Sequence, residues 1–488
     1  MAFFHGVKVS EVPTSILPPV EVAAGIPFIV GTAPQGKVNE PVLCHTYADL
    51  VAEFGFVPAE VDADSGFKKY AFSISEFARS QFALFGVGPV IVVNVLDPKT
   101  HKVAATAKSV TLDAKTGSAV IAETGILFDT VSLVPATSTA YVKGTDYEIA
   151  LNDDAHLVIT SLKDASGQFK CAVGEALSFV AEKADASKVD VDDIVGGVDA
   201  QGKKSGFELV DECFPRFRLV PGILLAPGFS GNATVAAIMA AKAANINELF
   251  SCVALIDAPT DTVRLYSDVP AWKNESNIVD SLQYVCWPMI KLDDVVYHAS
   301  TQVAGLIGKV DGENDGVPYV SPSNKNVQAT ATCLADGSEV FIDKVKADYL
   351  NSQGIATFIN FMNGWVLWGN RTACFPGNTD VKDNFLCIRR MFNWVGNTLI
   401  QTFWQKVDDP MNPRLIQTVV ESCNIMMNGW AARQYILGGR VEFLDSENPK
   451  TDLMNGKLRF HVYITPPSAA ENMEFILEYD PSYLDTLF

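Results

Sequence analysis

Basic residues are scarce in this chain of 488 residues: 37 Lys and Arg stand against 57 Asp and Glu, for a formal net charge of −20. Lys and Arg never cluster beyond two or three in a row. A protein that tracks a phosphate backbone carries a basic stripe, so nucleic-acid binding is not expected. No apolar run approaches the ~18 residues of a membrane-spanning helix, so membrane insertion is not expected either. The opening MAFFHGVKVSEV has no basic start and no continuous apolar stretch, so no signal peptide is expected and synthesis in the cytosol is. CxxC pairs are absent, and the nine Cys are odd in number and widely spaced. They read as buried thiols acting as small hydrophobes. The six His form no HxxxH pair, which argues against zinc. Neither a metal nor a cofactor is expected.

Catalytic constellations are missing too. The nearest approach is APGFSGNATV, a glycine turn after the strand-like LVPGILL. Free N–H groups in such a turn can hold phosphate. It lacks GxGxxG and GxxxxGK[ST], and Ser230 does not sit in GxSxG. A strand-to-helix turn with Asn232 as N-cap is the better account of it. Asp293-Asp294 and Asp408-Asp409 are adjacent carboxylates. Neighbours in one segment point apart, whereas a glycosidase needs acids on facing elements, so both pairs read as solvated loop acids. Arg389-Arg390 lies on a helix near an aromatic core, where one Arg should pair with an acid and the other is free to face a partner. The enzyme alternative that stays open is a cytosolic α/β hydrolase or nucleotide-binding enzyme using the turn at 228–232.

What is present is apolar material for large cores: 48% of residues are hydrophobic. The length suggests about two to four domains. Residues 26–31 (IPFIVG) and 89–96 (PVIVVNVL) read as buried strands, with helical spacing between them at 46–54 and 67–86. That order predicts an α/β layer with a parallel component. From Asp97 the texture turns rich in Val, Thr, Ala, Asp and Lys, and YVKGTDYEIA with AHLVIT predicts a hairpin. The α/β texture resumes near Phe207, so 100–205 reads as an inserted all-β domain. Residues 355–360 and 364–367 predict a hairpin through Met362-Asn363-Gly364. Two long helices follow. Residues 385–406 place Phe385, Ile388, Phe392, Val395, Leu399, Phe403 and Trp404 on an inner face, and a second helix opens at Pro413.

Both ends of the chain read as strands without a partner nearby. Leu458, Phe460, Val462 and Ile464 alternate with Arg459, His461, Tyr463 and Thr465, the period of a half-buried strand. After Pro466-Pro467, Met473, Phe475, Leu477 and Tyr479 alternate with Glu474, Ile476 and Glu478. At the other end Val7 and Val9 alternate with Lys8 and Ser10, just before Val12 and a stretch stiffened by Pro13, Pro18 and Pro19.

Taken in order, HGVKVSEV, PFIVGTAPQG, VPYVSPSNK (317–325), GIATFINFMNGWVLWGNRT (354–372), FLCIRRMFNWV (385–395) and the closing FILEYDPSYL resemble contractile tail sheath proteins of phages and related injection machines. The resemblance spans 1–96 and 207–488. It implies a mixed α/β (α+β) core with an inserted all-β outer domain and extended N- and C-terminal strand arms. The implied division is an N-terminal exchange arm (1–22), a core in two parts (23–99 and 206–380), the outer domain (100–205), a tube-proximal C-terminal core (381–468) and a C-terminal exchange arm (469–488). It also implies a homo-oligomer of hexameric rings in a helical array around a tail tube, with baseplate and tail terminator proteins as further partners. The location implied is the virion, with assembly in the host cytoplasm. Each subunit would lend strands to neighbours: Val7, Lys8, Val9, Ser10 and Val12 at one end, and Met473, Glu474, Phe475, Ile476, Leu477 and Tyr479 at the other. The recipient strand would carry Leu458, Phe460, Val462 and Ile464, with 439–443 as a second candidate member. A tail tube or capsid subunit is the neighbouring alternative.

Overall fold

A computed structural model of the chain describes residues 23–62, 65–135, 139–362 and 364–487. Residues 1–22, with Val7, Lys8, Val9, Ser10 and Val12 of the expected N-terminal arm, lie outside the described residues, as does Asn363.

The short apolar runs become strands of one eight-stranded sheet. They are Pro27–Gly31 (β1), Val42–Cys44 (β2), Val90–Asn94 (β3), Ile223–Leu225 (β4), Val253–Asp257 (β5), Gln283–Cys286 (β6), Ile355–Phe361 (β7) and Gly364–Trp368 (β8). Their order across the sheet is β2-β3-β1-β4-β5-β6-β7-β8. The six inner strands are parallel, and β2 and β8 run antiparallel at the two edges. Every residue of β1, β3 and β5 is buried, because both faces of the sheet are covered. This is why PVIVVNVL is a continuous apolar run rather than an alternating one.

Helices Tyr47–Phe54 (α1), Ser73–Ala78 (α2), Ala233–Ala244 (α3) and Ala299–Gly312 (α4) supply the cover. Phe28, Val30, Ile91, Leu224 and Ile256 join Val235 and Met239 of α3 in one apolar cluster. The alternate residues Ile29, Val90, Val92, Leu225 and Leu255 join Phe54, Phe77, Val303 and Ile307 of the other helices in a second. Between β3 and β4, residues 102–184 form short antiparallel strands around a third cluster that includes Leu112, Leu133, Tyr147, Leu157 and Phe179. The hairpin expected there pairs Tyr147 with Ser161.

Helices Leu386–Phe403 (α5) and Pro413–Ala432 (α6) follow. Asn412 caps α6 by accepting from the Leu415 N–H at 2.9 Å. Met391, Trp394 and Val395 of α5 meet Val419, Cys423, Met426, Met427 and Trp430 of α6. The Trp394 and Trp430 ring centroids are 4.7 Å apart. Trp404 was expected on this face but is exposed. The α-helix ends at Phe403, and a separate turn, Trp404–Lys406, carries the ring out of the packed stripe.

A buried polar cluster ties β5, α2 and α4 together. Glu76 of α2 accepts from the His298 N–H at 2.7 Å, meets His298 Nδ1 at 2.8 Å and accepts from Thr301 Oγ1 at 2.9 Å. Asp257, at the end of β5, accepts from the Ser300 N–H at 2.7 Å and from Ser300 Oγ at 2.5 Å. Burial works against a charge on His298, but Glu76 and Asp257 outweigh it and lift the imidazole from 6.5 to about 9. A pKa raised on folding contributes stability that is fully present below the unfolded value and is lost as pH rises through the folded one. The folded protein should therefore lose on the order of 3 kcal/mol between about pH 6.5 and 9 from this group. Calorimetric melting across that range checks it: the wild type should show a falling Tm, and His298→Gln a flatter profile. An identical slope in the variant would assign the effect elsewhere.

Candidate assembly interface

Two arginines anchor the described segments nearest the two ends of the chain. On the N-terminal side, Arg390 of α5 donates from Nη1 to Asp311 Oδ1 of α4 at 3.0 Å, and its Nη2 pairs with Asp311 Oδ2. Both side chains are 3% exposed. A fork–carboxylate pair of this kind is strongly directional. Arg390 Nη2 also donates to the Ala24 carbonyl at 3.2 Å, so the first described turn is fixed on α4 and α5. Gly25 follows, where a Cβ would lie 3.0 Å from Asp311 Oδ2 and 3.3 Å from the Gly308 Cα; the close approach needs glycine. Arg389 is not free for a partner, contrary to expectation: it donates to Asn393 Oδ1 at 3.1 Å and to Asp383 Oδ1 at 3.2 Å.

On the C-terminal side, Pro466 is buried and Ala469 packs against Phe385, Cys387 and Ile388. Arg371 then clamps Glu471, Nε to Oε1 at 3.1 Å and Nη2 to Oε2. Its Nη1 donates to Asn384 Oδ1 at 2.5 Å. The guanidinium lies 3.8 Å from the Phe385 ring centroid and 4.8 Å from that of Phe375, which fixes its plane.

Beyond Glu471 the side chains stand in the open. Met473 is 73% exposed, Phe475 84%, Ile476 86%, Leu477 94% and Tyr479 76%. Among the described residues, none of 472–479 makes a main-chain hydrogen bond to the body, and none has regular secondary structure. The strand expected over Met473, Glu474, Phe475, Ile476, Leu477 and Tyr479 is thus not formed within one chain. A strand requires a ladder partner, and the segment has none at home.

A small sheet carries the other half of the arrangement. Strands Gly438–Glu442 (β9) and His461–Thr465 (β10) pair antiparallel with Val441 opposite Val462. Phe460, Val462 and Ile464 lie against the α5–α6 cluster. His461 and Tyr463 stack at 4.2 Å on the other face, with the Arg440 guanidinium 3.9 Å from the Tyr463 ring centroid. Leu458 and Phe460, expected in the recipient strand, precede it: the strand begins at His461, and the Arg459 N–H is held by Asn448 Oδ1 at 2.8 Å.

The two edges of this sheet differ. Asn424 of α6 accepts from the Val441 N–H at 2.9 Å and donates to its carbonyl at 3.0 Å. Val441 therefore faces away from β10, and the β9 edge is closed there. Opposed residues in an antiparallel ladder either bond each other or both turn their main-chain groups outward, so those of Val462 face away from β9. By the strand period so do those of Ile464. Their main-chain groups find no partner among the described residues, which leaves β10 with an open edge. Beside it, Leu399, Phe403, Met411, Leu415, Leu458 and Phe460 help line an apolar groove of about 750 Å³.

Side chains at the enzyme-like spots have structural partners. Ser230 Oγ accepts from the Asp257 N–H at 2.9 Å, and Asn232 caps α3 by accepting from the Thr234 N–H at 2.9 Å. Asp294 pairs with Lys68 at 2.9 Å and Asp409 with Lys406 at 3.0 Å. All nine thiols are free and buried. Sequence reasoning missed the arm clamps. Arg371 and Glu471 are 100 residues apart, with no pattern linking them.

The clamp predicts how firmly the arm is held. A partly exposed ion pair contributes roughly 1 kcal/mol. Glu471→Gln should therefore speed limited proteolysis within 466–472 about fivefold while leaving the melting of the body unchanged. An unchanged cleavage rate would show that the clamp does not hold the arm.

No family model matches the chain. The tail sheath protein of Burkholderia phage BcepMu is 31% identical over 99% of this chain and 98% of its own length. Among solved structures, the PVC sheath complex of an extracellular contractile injection system in the contracted state superposes with a TM-score of 0.58 at 13% identity, covering 99% of each chain. The helical sheath of the anti-feeding prophage in the contracted state gives 0.56 at 15% identity, covering 98% of this chain and all of that one.

Proposed function

The chain belongs to the tail sheath protein family, and on that premise we propose that it polymerises as stacked hexameric rings around a tail tube and contracts to drive the tube through a host envelope for genome delivery. Its role is structural, not enzymatic, in a virion or phage-like particle. The other partners under this reading are the tube, the baseplate that triggers contraction and the terminator that caps the tail. Assembly takes place in the host cytoplasm. Residues 100–205 form the outer domain, and the α5–α6 hairpin lies toward the tube.

One observation carries the reading. A seven-residue segment exposes alternate apolar side chains and unpaired main chain, while the same chain holds a two-stranded sheet with an open edge. Residues 473–479 of one subunit pair with β10 of the next. Phe475 and Leu477 then extend the row of Phe460, Val462 and Ile464 over α5 and α6. This is β-augmentation, in which main-chain bonds attach and alternate side chains set register. Residues 7–12 serve a further neighbour in the same way. A head-to-tail contact that does not close on itself builds a filament. With about 1 kcal/mol net for each hydrogen bond and the burial of two large side chains, each lent strand contributes on the order of several kcal/mol. The attachment survives movement of the bodies because it resides in the arms.

Deleting 470–488 should leave soluble, folded subunits that form no tubes, and Phe475→Asp with Leu477→Asp should do the same. Negative-stain microscopy checks both. Normal tubular polymers from the truncated chain would refute strand exchange at this end.

A further inference from the structure

The last turn of the chain has a built shape that strand exchange does not use. Pro481–Leu487 forms a short 3-10 turn. Asp480 stands at its start, where Oδ1 accepts from the Ser482 N–H at 2.9 Å and from Ser482 Oγ at 2.6 Å. These bonds hold the Asp480 carboxyl below its usual range. Pro481 has the fixed φ suited to a first helical position, and Thr486 Oγ1 donates to the Tyr483 carbonyl at 2.7 Å. Tyr483, Leu484 and Leu487 are all exposed. Leu484 and Leu487, three apart, stand on one side of this 3-10 turn with Tyr483 beside them, an apolar edge of the kind that docks in a groove. A turn this short is not stable by packing on itself.

We propose that this turn, from a second copy of the chain, docks in the apolar groove between α5, α6 and β10. The inference rests on the strand-exchange reading and goes one step past it. Three features select the occupant. The turn begins two residues after Tyr479, so a strand laid on β10 delivers it to an end of the recipient sheet. The groove is continuous with that sheet, since Leu458, Phe460 and Val462 form one of its walls. A strand running antiparallel to β10 ends beside Leu458, where the exposed Val407 and Met411 stand at the groove's rim. The turn then acts as a lock behind the exchanged strand: the ladder sets register, and Tyr483, Leu484 and Leu487 resist its peeling from the free end.

The test uses co-assembly of two full-length single variants, Leu487→Cys and Met411→Cys, joined by a short bis-maleimide. All nine native thiols are buried, so the reagent meets the introduced ones. Only a contact between copies yields a covalent dimer from the mixture. A dimer band from assembled polymers, absent from dispersed subunits, is the expected result. Normal polymers without that band overturn the proposal and leave strand exchange standing. A dimer from Phe3→Cys with Met411→Cys, and none from Leu487→Cys, makes the N-terminal segment the occupant and also overturns it. Failure of every mixture and of the wild type to polymerise contradicts the sheath reading itself. As a second measurement, a chain ending at Asp480 should still form tubes, at a threshold concentration on the order of tenfold higher. An unchanged threshold counts against the lock.

Discussion

Between Met473 and Tyr479 the chain offers a full strand's worth of main-chain donors and acceptors, and none of them is answered among the described residues. Water satisfies those groups in the isolated subunit, but it does so at the expense of the apolar side chains that share the segment. Phe475 and Leu477 are among the most exposed large hydrophobic residues in the structure. A soluble protein rarely keeps such a stretch in the open unless it marks an interaction site. The rest of the molecule manages this one feature. Arg371 fixes where the arm begins, Arg390 fixes where the opposite end of the chain enters, and α5 contributes to both anchorages through Phe385 at its N-cap and Arg390 within it.

The body is built to be rigid between those points. A doubly covered parallel sheet and the Trp394–Trp430 contact between α5 and α6 leave few soft places in the core. Among the described residues, the arm beyond Glu471 stands exposed and without main-chain bonds to the body. That division suits a polymer whose subunits must shift relative to one another without separating. The charge of −20 adds a second constraint. Like-charged subunits repel at long range, and under the proposed strand exchange the attraction would act at short range through hydrogen bonds and buried apolar groups. Salt weakens the repulsion far more than the attraction.

Much of this was legible from residue order, because burial on two faces leaves an unmistakable run. PVIVVNVL became β3, and GIATFINFMNGWVLWGN supplied β7 and β8. Alternation placed Phe460, Val462 and Ile464 together on the α5–α6 cluster. The start of β10 was misread because alternation continues through Leu458 while the ladder does not; Asn448 holds that stretch in a loop instead. Trp404 was misplaced because helical spacing alone does not reveal that the helix ends one residue earlier. The clamps and the closed edge at Val441 were invisible, since they join residues 17 to 366 positions apart through single side chains. Local pattern reads burial well and long-range polar contacts hardly at all.

The central claim is that the arm acquires a ladder partner only in another copy of the chain. Amide hydrogen exchange measures this directly, residue by residue, in dispersed subunits and in assembled polymer. The account predicts fast exchange throughout 473–479 in the subunit and strong protection at alternate residues in the polymer, with matching protection at Val462 and Ile464. Protection of 473–479 already present in the dispersed subunit, or none in the polymer, would contradict it.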